Sequence, residues 1–388
     1  MHTRSSDVNA KRLLHIGVHN SANRNAGDTL LFPVVRKAFE AMLGPCDWVL
    51  RQAWELFTEE DASRINREFD GIIIGGGGLL LRDQAGSDVV HSGWQWNSTV
   101  TALQALSVPV IVFAIGYNRF RGQADFAPVF KDHIRMLSEK SAFFSLRNTG
   151  SINGLKDYLL AEQHDKLVRQ FCPTTVLWQL YPEYRELMQS HDEKSSHVLA
   201  FNAAFDRAHL RFGDKADEIL MNVARALLVA QQRGWSIILT AHKTIDRQFE
   251  GYLDRVGVTF DTVDLTEASP EEIITFYAQI DFALGMRGHA QMIPFGLRRP
   301  IMSIISHDKM RFLLEDIERA DWGVEVSSPD FIERVERALA AIEKDREAIH
   351  LDLAAVQQGV WEETKSNFQL IAHALVSTDS SRDFYVRT

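Results

Sequence analysis

The stretch from Asp281 to Ile305 constrains the fold of this chain more than any other. Asp281-Phe-Ala-Leu-Gly285 reads as a short apolar strand and Met286-Arg-Gly-His289 as a tight turn. Ala290–Gly296 then reads as a helix and Pro300–Ile305 as a second strand. Strand, turn, helix and strand in that order form a crossover unit, the building block of a parallel sheet. The turn carries a guanidinium and an imidazole two residues apart. A helix N-terminus presents free N–H groups and the positive end of a dipole, so such a turn is where an α/β protein builds an anion site. Arg287 offers a planar fork of donors for a carboxylate or phosphate. His289 offers a group that titrates near neutrality.

The same alternation runs through the chain. Leu13–His19 is an apolar run leading to Asn20-Ser-Ala-Asn-Arg-Asn-Ala-Gly-Asp28, and a helical pattern follows from Leu30 to Leu43. Asp70-Gly-Ile-Ile-Ile-Gly-Gly-Gly-Gly-Leu79 is a strand entering a glycine loop. Val108–Gly116 and Ala142–Arg147 are further strands. Continuous apolar strands of this kind suit a parallel sheet covered on both faces. The polar segment Ser190–Ser196 lacks periodicity and reads as a linker, after which the pattern restarts with a strand at His197–Asn202. Asp214–Arg233 reads as a helix, Trp235–Ala241 as a strand, and Ser269-Pro-Glu-Glu272 as a capped helix start. Phe331–Ala348 and Trp361–Leu375 read as two closing helices before a tail at Ser377–Thr388. The expected organisation is two Rossmann-like domains, 1–190 and 197–330, followed by C-terminal helices and tail at 331–388, with ligands bound in the cleft beyond the strands' carboxyl ends.

Composition narrows the function. A net charge of −10 argues against nucleic acid or an anionic membrane as a general partner, so any anion site must be local. Only two cysteines occur, in no metal-binding spacing, which suits a reducing cytoplasm. The polar start has no apolar stretch of signal-peptide type, and the apolar runs are too short to span a bilayer.

The candidate site residues lie at the ends of these strands. Gly75, Gly76, Gly77 and Gly78 let the backbone approach a ligand, although they form neither a dinucleotide fingerprint nor a P-loop. Asn25 and Asp28 belong to a polar loop before a helix, where Asp28 suits the N-cap and backbone amides would meet a ligand. Arg147 ends an apolar strand and requires an anion or a carboxylate partner. His242 with Lys243, and Lys309 after another strand, complete the set. Trp94 and Trp96 would either stack on a sugar ring or pack beneath the glycine loop. No zinc-protease, serine-hydrolase or paired-carboxylate motif is present.

Taken in order, these residues resemble the polysaccharide pyruvyltransferase family. The resemblance runs over Asn25-Ala-Gly-Asp28, Gly75–Gly78, Val110–Gly116, Ser145-Leu-Arg147 with Ser151, Gly285-Met-Arg287-Gly-His289-Ala290, Gly296, Pro300 and Lys309. It implies a GT-B-like α/β fold, two Rossmann-like domains whose parallel sheets face each other across a cleft. It also implies transfer of a pyruvyl group from phosphoenolpyruvate to two sugar hydroxyls, forming a ketal and releasing phosphate. Donor-anion roles then fall on Arg287 and His289, and on Arg147. The acceptor would be a saccharide or a lipid-linked oligosaccharide of exopolysaccharide, capsule or cell wall, met at the inner face of the membrane. Two departures from the family's pattern stand out: Gly288 between Arg287 and His289, and Gly116-Tyr117-Asn118 at the end of the third strand.

The chemistry of such a transfer needs cations for the donor's two anionic groups, with Arg287, Arg147 and Lys309 as candidates. It also needs an acid and a base. His289 is the first candidate and His242 the second. No metal or cofactor is demanded. Two other readings share the fold. One is a nucleotide-sugar glycosyltransferase, with Glu267 or Glu271 as its ribose-binding carboxylate. The other is a non-catalytic saccharide binder.

Overall fold

The computed structural model describes residues 10–19, 25–82, 89–120, 122–192 and 197–376. Twelve strands form two wholly parallel six-stranded sheets among these residues. The first contains β1 (Lys11–Gly17), β2 (Cys46–Gln52), β3 (Gly71–Leu80), β4 (Val110–Tyr117), β5 (Ser141–Leu146) and β6 (Leu167–Arg169), in the order β2-β1-β3-β4-β5-β6. The second contains β7 (Val198–Asn202), β8 (Ser236–Ala241), β9 (Phe260–Asp264), β10 (Phe282–Gly285), β11 (Ile301–Ile305) and β12 (Gly323–Glu325). Its order, β9-β8-β7-β10-β11-β12, is that of a dinucleotide-binding sheet. The strand order reverses between β1 and β3 in the first sheet, and between β7 and β10 in the second. At such points the flanking helices diverge to opposite faces and leave a crevice.

The helices that shape the site are α1 (Ala26–Leu43), α2 (Thr149–Lys156), α3 (Gly288–Gly296), α4 (Asp308–Asp316) and α5 (Arg346–Val376). Helix α1 begins four residues earlier than its periodicity predicts, and its N-cap is Asn25 rather than Asp28. Asn25 is extended and its side chain accepts the Gly27 amide, whereas Asp28 lies inside the first turn.

The glycine run departs most from expectation. Gly75–Gly78 lies within β3 and not in a loop after it. A Cβ at Gly75 would overlap the Phe113 carbonyl of β4, and one at Gly77 would press on Leu31 of α1. The missing side chains let α1 and β4 close on β3, so the run serves packing between the elements that carry the site. The Trp94 and Trp96 side chains are fully buried, and the Trp94 indole donates to His133. They belong to the core under this sheet and are closed to a sugar.

The final helices also differ from expectation. Phe331–Lys344 is one helix and α5 is a single helix of 31 residues. Its buried residues Leu353, Gln357, Val360, Thr364, Phe368, Ile371 and Leu375 recur every three or four positions, one continuous stripe. That stripe returns to the first domain. Phe368 packs edge-on against Phe39 at 5.0 Å, and Asn367 donates to the Arg169 carbonyl at 2.7 Å. One apolar cluster accordingly includes Leu30 and Phe113 of the first domain, Ile293 and Phe295 of the second, and Phe368 of α5. Of the expected linker, residues 190–192 belong to the helix Arg185–Asp192, and residues 193–196 and the tail from 377 lie outside the described residues.

Candidate functional site

Both crevices open onto the same interdomain cleft. On the first-domain side stands the N-terminus of α1. The Ala26 amide donates to the His242 carbonyl at 3.0 Å, which joins the domains here. The Gly27 amide goes to the Asn25 side chain, and the amides of Asp28 and Thr29 go to the Asn25 carbonyl. All four leading N–H groups of α1 are thus satisfied within the protein, and residues 20–24 of the expected loop lie outside the described residues. On the opposite side, α3 begins with Gly288, and no protein acceptor meets the amides of Gly288 or His289 among the described residues. That terminus is the open one.

Arg287, just ahead of α3, is buried and saturated. Its Nε donates to Asp246 at 2.8 Å, and its Nη1 pairs with Asp206 at 2.7 Å. Burial alone would lower its pKa, yet the two carboxylates outweigh burial and raise it. Asp246 also accepts the amides of His242 and Lys243. Arg287 therefore fastens the end of β8 to the end of β10. Contact with a donor anion would require it to release a carboxylate.

Arg147 is the converse. It is 6 % exposed at the end of β5 and forms no salt bridge among the described residues, Asp28 acting on it only through space. Its Nε has no hydrogen-bond partner. The guanidinium lies against Gly116, where any Cβ would overlap it, so the first glycine of this turn leaves the room the arginine occupies, and the departing residue is Asn118. Lys309, in the first turn of α4, reaches across the cleft and donates to Asn118 Oδ1 at 3.0 Å. Burial lowers its pKa far below the usual range, and Arg211 and Arg147 lower it further.

His289 stands between these two cations. Its ring rests against Gly27 in the first turn of α1, where a Cβ would overlap it, and its Nε2 is 3.7 Å from Cys172 Sγ. Burial, then Arg147 and Lys309, push its pKa down to about 3. The ring is neutral at pH 7 until negative charge arrives. Asp28 lies beside them, its Oδ2 accepting from Asn25 Nδ2 at 2.9 Å. Burial raises its pKa, although Lys243, Asn25, Lys309 and Arg147 all pull the other way.

The structure thus brings together Arg147, Lys309, His289, Asn25 and Asp28. His242 is nearby but has no exposed surface, and its Nε2 meets the Tyr277 hydroxyl at 2.6 Å. Its buried Nδ1 has no hydrogen-bond partner among the described residues. Gly78 touches the site indirectly, with a Cβ position 3.1 Å from the Asn118 amide. Sequence reasoning missed Asp206, Asp246 and Asn118. Each closely follows an apolar strand, and that was the only available signal. Phe120 of the first domain fills the space beyond, 4.9 Å from Arg207 and 5.2 Å from Arg211 of the second. Among the described residues no group of three or more His, Cys, Asp or Glu side chains is placed to hold a metal ion.

A family profile described as polysaccharide pyruvyl transferase matches residues 25–308, from the cap of α1 to the first residue of α4. No significant match was found among curated proteins. Among solved structures, UDP-GlcNAc 2-epimerase from Neisseria meningitidis bound to UDP-GlcNAc is similar at 10% identity, with a TM-score of 0.54 over 94% of this chain and 100% of that one. The Anabaena protein HepE in complex with UDP and glucose is similar at 11% identity, with a TM-score of 0.52 over 95% and 100%. At such identities the likeness concerns the fold, which is GT-B-like.

Proposed function

Because the chain belongs to the polysaccharide pyruvyl transferase family, we propose that it moves the pyruvyl group of phosphoenolpyruvate onto two hydroxyls of a saccharide. The observation that carries this reading is a pair of cations with no salt bridge among the described residues, buried Arg147 and partly buried Lys309, both acting on His289. A buried charge without a partner costs several kcal/mol or shifts its pKa until it is neutral. A dianionic ligand removes that cost. Phosphoenolpyruvate brings a carboxylate and a phosphate on adjacent atoms, the right chemistry for two cations and an open helix N-terminus.

In this reading the donor's charge also raises the basicity of His289. Once protonated, the ring delivers a proton to the methylene carbon, and the neighbouring carbon becomes open to a sugar hydroxyl. Phosphate departs toward Lys309 and Arg147, and a second hydroxyl closes the ketal. The narrow cleft excludes water, which would otherwise capture the cationic carbon. The acceptor would be a glycan precursor of exopolysaccharide, capsule or cell wall, and phosphoenolpyruvate supports a cytoplasmic setting at the inner face of the membrane. No described helix is long and apolar enough to cross a membrane.

The test is phosphate release from phosphoenolpyruvate with a panel of saccharide acceptors, beside thermal shift with phosphoenolpyruvate and with UDP. Acceptor-dependent release lost in Arg147→Ala and Lys309→Ala is the expected result. Stabilisation by UDP alone would replace this reading with nucleotide-sugar transfer.

A further inference from the structure

Ketal formation requires a group that accepts the acceptor hydroxyl's proton, and neither histidine supplies it cleanly. His242 is sealed against Tyr277. His289 sits on the donor side, at the start of α3. Among the carboxylates that interact with this cluster of cations, Asp206 and Asp246 are consumed by Arg287. Asp28 has no ion pair within salt-bridge distance among the described residues; its hydrogen-bond partner is the neutral amide of Asn25. It projects from the first turn of α1, one residue beyond the Gly27 on which the His289 ring rests. The carboxylate and the imidazole thus face the cleft from opposite domains.

We propose that Asp28 is the catalytic base that takes the proton from the attacking saccharide hydroxyl, an assignment that rests on the pyruvyl-transfer reading. The hydroxyl oxygen bonds to the central donor carbon as its proton passes to the Asp28 carboxylate. The methylene carbon gains its proton from the His289 side and becomes a methyl group. When the carbon–oxygen bond to phosphate breaks, the electron pair leaves with phosphate. The second hydroxyl then adds, and its proton departs on that phosphate. Asp28 then gives its proton to solvent, replacing the one His289 took up when the donor bound, and both groups return to their resting forms. Asn25 positions the base, since its Oδ1 caps the helix while its Nδ2 holds one carboxylate oxygen. The other oxygen is left to face the acceptor. Burial makes the carboxylate more basic than an ordinary aspartate, which suits it to this task.

Asp28→Asn keeps the size of the side chain and an oxygen for Asn25 to hold, but it cannot take a proton. Three quantities should be measured on the full chain: the thermal midpoint, stabilisation by phosphoenolpyruvate, and acceptor-dependent phosphate release across pH. The expected result is a wild-type midpoint, retained stabilisation by phosphoenolpyruvate, and release lowered about 100-fold or more with the acidic limb of the pH profile abolished. Asp28→Glu should recover part of the rate. Turnover of Asp28→Asn close to the wild-type value would overturn the assignment, as would loss of phosphoenolpyruvate binding in parallel with turnover. Absence of any phosphoenolpyruvate response in the wild-type protein would instead overturn the donor reading beneath it.

Discussion

Arg147 and Arg287 are both buried arginines, and their surroundings separate their roles. Arg287 is ion-paired with two carboxylates, whereas Arg147 forms no salt bridge among the described residues and feels Asp28 only through space. Replacing Arg147 with Met removes a desolvated charge that only the more distant Asp28 offsets, so the ligand-free protein should become more stable by about 1–3 kcal/mol. The same variant should lose its stabilisation by phosphoenolpyruvate. Denaturant midpoints with and without the donor check both halves. Arg287→Ala should do the opposite and cost about 3–5 kcal/mol by stranding Asp206 and Asp246, so its loss of activity would not by itself locate the donor. Histidines set the pH dependence. Burial lowers His289 and His133 to about 3 and His19 to about 4, from an ordinary 6.5. Between those values the unfolded chain binds protons that the folded chain refuses. Stability is therefore complete above about pH 6.5 and falls as the pH drops toward 4. Urea midpoints at pH 7.5 and pH 5 should show the decline.

At the scale of elements, the site is made by helices and strands that approach more closely than side chains would allow. Gly27 of α1 makes room for His289 of α3, and Gly116 of β4 makes room for Arg147 of β5. In both cases the displaced group is a buried side chain, so a methyl group disturbs the packing and the chemistry together. Gly27→Ala should lower the thermal midpoint and phosphate release together, since overpacking against the buried His289 outweighs the helix preference of alanine. A fall in midpoint with unchanged turnover would count against this packing. The elements themselves were largely legible. The apolar runs at β1, β4, β5, β10 and β11 and the capped helix at Ser269 stand close to where periodicity places them. The glycine run was misread because four glycines look like a loop in isolation. Only the arrival of α1 and β4 shows why a strand dispenses with side chains there.

The whole molecule is two sheets joined by one apolar cluster, closed by α5 running back from the second domain to the first. A shared core couples the stability of the two domains. Heating should therefore give one cooperative transition, checked by agreement between calorimetric and van't Hoff enthalpies. Phe368→Ala, at the far end of α5, should cost about 3–5 kcal/mol and lower that single transition without splitting it.

The sequence by itself determined the alternation of strand and helix, the two parallel sheets, and the ordered polar residues at strand ends that resemble the family. Each depends on local periodicity and order along the chain, which need no partner to be read. The tertiary structure alone decided which cation is free. Arg287 is neutralised by Asp246, 41 positions away, and by Asp206. Arg147 meets Lys309 and His289 only because the two domains close on each other. Charge pairing and burial depend on distance in space, and residues this far apart in sequence acquire that distance only when the chain folds.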